Sequence, residues 1–302
     1  MTLCIAAECE DETDCPKIVL CSDCERSADA IGASETEDKV GLIRPGWAVL
    51  VAGELDRADD LLRVYAEYFS RPSVVVNERN ILVHFRRPAA IQKRRLVDDY
   101  LLQSFAFDFK YLKHNAKSLP ELFVTEQMAA VNRVRLKSAL IMAGFVKETY
   151  FNTGTVEPTP FLIVADENTD ENGTRDEVVR QSEYAAIGSG AQAALSTLYR
   201  RQQSSTDSLM RTLYVLYEAN KLSEKIPGVG REFINLDVLY PDGKLRRLSD
   251  DGYEKMIELY GKFGPKTIDG LKKDWFVAED KFFDKPIEPK PSPPSPDPTE
   301  KP

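Results

Sequence analysis

The chain is 302 residues long, with 40 Lys and Arg against 49 Asp and Glu, a formal charge of −9 and 42% hydrophobic residues. That mix belongs to a folded globular protein, and its acidic balance argues against a dedicated nucleic-acid binder, which needs clustered cations to neutralise phosphates. No apolar run approaches the ~18–20 residues that span a bilayer, so no membrane partner is expected. The opening Met1-Thr2-Leu3-Cys4-Ile5 has no basic stretch ahead of its apolar residues, which points to the cytoplasm and away from a secretory signal. Length alone corresponds to about two domains of ~100–200 residues each.

All five cysteines (Cys4, Cys9, Cys15, Cys21 and Cys24) fall near the N-terminus. Their odd number, in a chain long enough to build a core, argues against a disulfide scaffold. Cys21-x-x-Cys24 has the spacing of a zinc knuckle, but structural zinc sites usually combine two such pairs. Thiols in apolar runs behave as small hydrophobes, so buried cysteines and no metal or other cofactor are expected.

Two strand-like runs, 3–7 and 18–23, flank a charged stretch and predict a hairpin with a long connection. A register with Thr2 opposite Asp23 and Cys4 opposite Cys21 would put all four on one face, because side chains alternate along a strand. A second hairpin is predicted over 39–43 and 47–52, turning at Pro45-Gly46. Leu55, Ala58, Leu61, Leu62, Tyr65, Ala66 and Phe69 then recur at helical spacing. Residues 77–137 read as mostly helical, with a basic cluster of Arg86, Arg87, Lys93, Arg94 and Arg95 that suits a solvated helix end or a subunit contact. The only histidines, His84 and His114, lie in this stretch and are assigned no catalytic work.

A third sheet-like region covers 139–145, 161–165 and 178–187. Two helices follow over 191–201 and 207–222, the second with Thr206 as N-cap and Leu209, Leu213 and Tyr217 on one stripe. A hairpin over 233–240 and 244–248, turning at Pro241-Asp242-Gly243, and a helix over 253–262 complete the folded part. Residues 285–302 hold eight of the 18 prolines among charged and polar residues, the composition of an extended, disordered tail. Strands, helices, strands and helices in that order predict an α+β fold with two sheets, each covered by helices.

Thr2 begins the first strand directly after Met1. If Met1 is removed, Thr2 carries a free α-amine with an intrinsic pKa of roughly 7.7–8.0, able to act as general base for its own hydroxyl. Lys39, held by Asp23, would supply a nearby cation that depresses that pKa, and the backbone at Gly53 could receive an oxyanion. The Gly188-Ser189-Gly190 turn also has the form of a weak phosphate cradle at a helix start.

These residues are similar to the proteasome β-type subunits, members of the N-terminal nucleophile (Ntn) hydrolases, and especially to bacterial relatives that assemble without a full proteasome. The resemblance rests on Thr2-Leu-Cys-Ile-Ala-Ala, Ile18-Val-Leu-Cys-Ser-Asp23, Asp38-Lys39-Val, and Ala48-Val-Leu-Val-Ala-Gly53. It continues in Ala139-Leu-Ile-Met-Ala-Gly-Phe145, Pro160-Phe-Leu-Ile-Val164 and Tyr184-Ala-Ala-Ile-Gly-Ser-Gly190, covering roughly 2–70 and 138–250. It implies a four-layer αββα sandwich of two mainly antiparallel sheets over 1–282, with 77–137 an enlarged helical region and 283–302 a disordered Pro-rich tail.

The resemblance further implies a threonine-type peptidase or amidase that cleaves amide bonds of a peptide or protein through an acyl-enzyme on Thr2. Lys39 would tune the amine, Asp23 orient Lys39, Gly53 donate to the oxyanion, Ser189 support the amine and Glu224 stand for the family's acid after the last long helix. Val51 and Ser27 would line the substrate pocket. Self-assembly into a ring or helical stack, and an ATP-dependent unfoldase as partner, are further implications. The sequence departs from the pattern at Glu25, where the family has Arg, and after Ser223-Glu224, where the family's downstream Ser is missing and Pro227-Gly228-Val229-Gly230 occupies the loop. A catalytically inactive ring-forming scaffold, or an amidase on a small or specific substrate, are the alternatives.

Overall fold

The computed structural model describes residues 3–10, 15–23, 25–27, 34–36, 39–149, 156–170, 173–227, 229–230 and 234–264. They form an α+β fold with two five-stranded antiparallel sheets.

The first sheet is built on β1 (Leu3–Glu10) and β2 (Pro16–Asp23), flanked by β10 (Tyr184–Gly188) on one side and by β11 (Ile234–Leu239) and β12 (Leu245–Arg247) on the other. β1 is buried along nearly its whole length because both of its faces are covered, and its first five residues are all apolar. Cys4, Ala6, Ile18 and Leu20 point towards the second sheet, whereas Leu3, Ile5, Ala7, Cys9, Val19 and Cys21 point towards helices α5 (Ala191–Arg200), α6 (Leu209–Ser223) and α7 (Asp250–Phe263). The stripe of Leu209, Leu213 and Tyr217 on α6 is buried in that layer as its spacing predicts.

The second sheet runs in the order β5 (Val40–Arg44), β6 (Trp47–Gly53), β7 (Ser138–Thr149), β8 (Val156–Asp170) and β9 (Gly173–Gln181). Its inward face supplies Ala48, Leu50, Ala52, Ala139, Ile141 and Ala143 to the layer between the sheets. Its outer face packs on α1 (Leu55–Phe69) and α2 (Ile81–Phe105) through Trp47, Val49, Tyr65, Phe69, Phe85 and Phe161. Trp47 lies so close over Gly144 that a Cβ there would come within 2.2 Å of the indole, so the position admits only glycine. α3 (Phe109–Asn115) and α4 (Glu121–Val131) close a small apolar cluster with the end of α2, around Leu101, Leu112 and Val131.

Four expectations are corrected. The first hairpin pairs Cys4 with Ser22 and Ile5 with Cys21, one residue away from the predicted register. Cys4 and Cys21 therefore face opposite layers, since one residue of slip reverses every side chain. Residues 178–187 are not one strand. The chain breaks at Ser182 and Glu183, where Glu183 takes a positive φ of 66°, and β10 crosses to the other sheet. The N-cap of α6 is Ser208, whose hydroxyl accepts from the Arg211 N–H, and not Thr206. α7 starts at Asp250, capped by Ser249, rather than at Tyr253. The Pro-rich tail lies outside the described residues.

Candidate active site

Asp23 ends β2 and is fully buried; Lys39 immediately precedes β5 and is 7% exposed. The Lys39 ammonium donates to Asp23 Oδ1, so a buried ion pair ties the end of a strand in one sheet to the start of a strand in the other. The second carboxylate oxygen, Oδ2, accepts the Gly230 N–H at 2.8 Å. Burying two ions is costly unless their remaining hydrogen-bonding capacity is met, and the Gly230 donor meets part of it. That donor is a contact that residue-type reasoning passed over. Its signal was the glycine-rich run between α6 and β11, which supplies an unobstructed backbone N–H.

Three other elements converge on this end of the sheets. Leu3, the first described residue of β1, pairs with Gly188, which places Ser189 next in the chain at an exposed turn. Gly190 packs against Leu3 and Val229, and its carbonyl accepts from Ser223 Oγ at 3.5 Å. Val229 and Gly230 thus connect the turn at 188–190 with the carboxylate of Asp23. The strand pair carrying Lys39 continues into the rest of the predicted site. The Lys39 carbonyl accepts from the Val51 N–H at 3.2 Å, and the Val51 carbonyl accepts from Cys4 Sγ at 3.3 Å. Val51 turns its half-buried side chain to the α1 layer.

Gly53 ends β6 exposed, with φ of 112°, in a left-handed conformation that favours glycine. A Cβ there would lie 2.7 Å from the Lys137 carbonyl oxygen. Glu224 sits at the C-cap of α6, where its carboxylate pairs with Lys221 Nζ at 2.6 Å and its charge acts on the neighbouring Tyr217 and Tyr260. Its described contacts therefore lie in the helical layer behind the first sheet. Ser27 belongs to β3 (Glu25–Ser27), which pairs with β4 (Ser34–Thr36), and its side chain is outside the described residues. Thr2 also lies outside the described residues.

Ser22, beside Asp23, is fully buried and its hydroxyl has no hydrogen-bond partner, a feature no sequence pattern announces. Cys4, Cys9 and Cys21 are buried thiols. No group of three His, Cys, Asp or Glu side chains among the described residues is placed to hold a metal ion. No helix among them is long and apolar enough to cross a membrane. Members of the basic cluster on α2 bind separate partners: Arg86 donates to the Val178 carbonyl, Arg94 pairs with Asp98, and Arg95 pairs with Glu67. No protein-family model matches the sequence, and no curated protein matches it.

Proposed function

We propose that the chain is a threonine-type Ntn hydrolase with a proteasome-β-like, four-layer αββα sandwich, cleaving amide bonds in a peptide or protein. The observation that carries this reading is the buried Asp23–Lys39 pair joining the two sheets beside the start of β1. Once the peptide bond before Thr2 is cut, the free amine takes the proton from the Thr2 hydroxyl as Oγ attacks the substrate carbonyl. The tetrahedral oxyanion is held by the backbone at Gly53, and the protonated amine passes its proton to the leaving nitrogen as the C–N bond breaks. Water, activated by the same amine, then releases the acyl group from Thr2. Lys39 keeps the amine uncharged near neutrality, and Asp23 with the Gly230 N–H keeps Lys39 in place. Ser189 supports the amine, and Val51 and Ser27 border the substrate side chain.

The reading extends to a cytoplasmic protein that assembles with copies of itself and receives substrate from an ATP-dependent unfoldase. A non-catalytic ring-forming scaffold is the second reading, favoured by the engagement of Glu224 with Lys221. Intact mass and labelling by a peptide electrophile separate the two. Catalysis predicts loss of Met1, one adduct on Thr2, and loss of both labelling and peptide turnover in Thr2→Ala. Retention of Met1 with no adduct, or full turnover by Thr2→Ala, overturns it.

A further inference from the structure

Away from this site, at the hairpin end of the second sheet, lies a group of cations that pair with no acid among the described residues. Arg44 ends β5, is half-buried, and its Nη1 is buried with no hydrogen-bond partner. Burial holds its pKa below the usual guanidinium value. Its Cζ lies 5.8 Å from the centre of the Phe69 ring. Phe69 meets Tyr68 edge-on with ring centres 5.4 Å apart, and the Arg71 guanidinium lies over Tyr68 at 5.7 Å. Tyr68 OH is 2.7 Å from His84 Nδ1. The His84 imidazole has its pKa lowered, first by burial and then by the charges of Arg87 and Arg44, with a backbone hydrogen bond at Val75 acting the other way.

Among the described residues, Arg44, Arg71 and Arg87 form no ion pair. Described carboxylates on the neighbouring segments pair with other cations: Asp60 with Arg63, Glu67 with Arg95 and Glu78 with Arg180. A chain of net charge −9 has carboxylates to spare, yet this corner sets Arg44 over Phe69 and Arg71 over Tyr68, with Arg87 near enough for its charge to act on His84. A half-buried cation without a partner is unfavourable in the free protein, and an anion from solution removes that penalty. The planar fork of Arg matches phosphate oxygens two at a time, and a ring beneath it keeps the plane fixed.

We propose that Arg44, Arg71 and Arg87, backed by Phe69, Tyr68 and His84, form a binding site for the phosphate group of a small molecule. Arg44 grips the anion from the buried side and Arg71 and Arg87 close on it from the exposed rim. His84 holds the Tyr68 hydroxyl and adds charge when protonated. From Trp47, which pairs with Arg44, to Gly53 is the full length of β6, about 20 Å at ~3.3 Å per residue, so the site is separate from the chemistry proposed for Thr2.

The chain has only two histidines, which makes ring-proton NMR a direct readout. Full-length protein is titrated with inorganic phosphate and then pyrophosphate at constant ionic strength, with chloride as reference. A saturable shift of His84 is expected, with a rise in its titration midpoint. His114, on α3 and bonded to the Lys110 carbonyl, stays unmoved. Arg44→Gln weakens binding by about tenfold or more, as loss of a bidentate contact requires. In phosphate-free buffer this variant melts no lower than the parent, because an uncompensated charge has gone, and it loses the rise in Tm that phosphate gives the parent. Arg87→Gln, an exposed change that leaves the core alone, weakens binding a few-fold. A non-saturable shift, equal shifts at both histidines, or undiminished binding in both variants overturns the proposal.

Discussion

At one end of the sheets a carboxylate and an ammonium are buried together and held by a backbone N–H. At the other a guanidinium is half-buried with aromatic rings and other cations for neighbours. Both take charge out of water, but only the first compensates it within the chain. The contrast teaches that an ion's burial says little until its partners are counted. Asp23 and Lys39 make each other tolerable, so removing one leaves the other stranded. Arg44 has no such dependant, and its removal strands nothing.

The sharpest way to break that contrast is to remove one partner of the pair. Lys39→Ala should lower stability by about 3–5 kcal/mol in denaturant unfolding, the effect of leaving Asp23 buried and uncompensated. Loss of under about 1 kcal/mol would mean that the pair is not buried in solution.

Glu8 sharpens the comparison, because it lies between these extremes. On β1 it shares a face with Cys4 and Ala6, and burial pushes its carboxyl up from 4.5 to about 7, Arg180 opposing the rise and Glu183 adding to it. The folded form therefore holds its proton more tightly than the unfolded chain. The contribution is fully present below about pH 4.5 and is lost as pH rises through about 7, amounting to up to about 3 kcal/mol. Glu8→Gln should flatten the pH dependence of stability over that window. An unchanged slope in Glu8→Gln would show that other groups dominate it.

The smallest effect belongs to Ser22, whose buried hydroxyl lacks a partner although both carboxylate oxygens of its neighbour Asp23 accept hydrogen bonds. Ser22→Ala should be neutral or stabilise by about 1 kcal/mol in thermal unfolding, since it removes an unsatisfied polar group and little volume. A clear destabilisation would reveal a partner for that hydroxyl.

Much of the architecture is legible in the residue pattern. α1 follows from the spacing of Leu61, Tyr65 and Phe69, and the β5–β6 hairpin from the Pro45-Gly46 turn between apolar runs. Asp23 and Lys39 are legible from their chemistry, an acid and a base at strand ends, and they are in contact. The strand register was not legible, because β1 and β2 are apolar on both faces and either alignment buries equally hydrophobic side chains. The break at Glu183 was hidden for a similar reason. Continuous β-type residues on both sides give no hint that the chain changes sheets there. The sequence offers Glu224 only by its distance along the chain, whereas its contacts depend on how the last turn of α6 sets it beside Lys221.

The amino-acid order by itself determined which segments become strands and helices, where most turns fall, and which side chains carry chemistry, because these depend on neighbours a few residues apart. Only the tertiary structure decided that Gly230 caps Asp23, that the Ser22 hydroxyl goes without a partner, and that Arg44, Arg71 and Arg87 form no ion pair among the described residues. Those outcomes are set by contacts between distant segments, whose charge and hydrogen-bond balance exists only after the sheets and helices have packed.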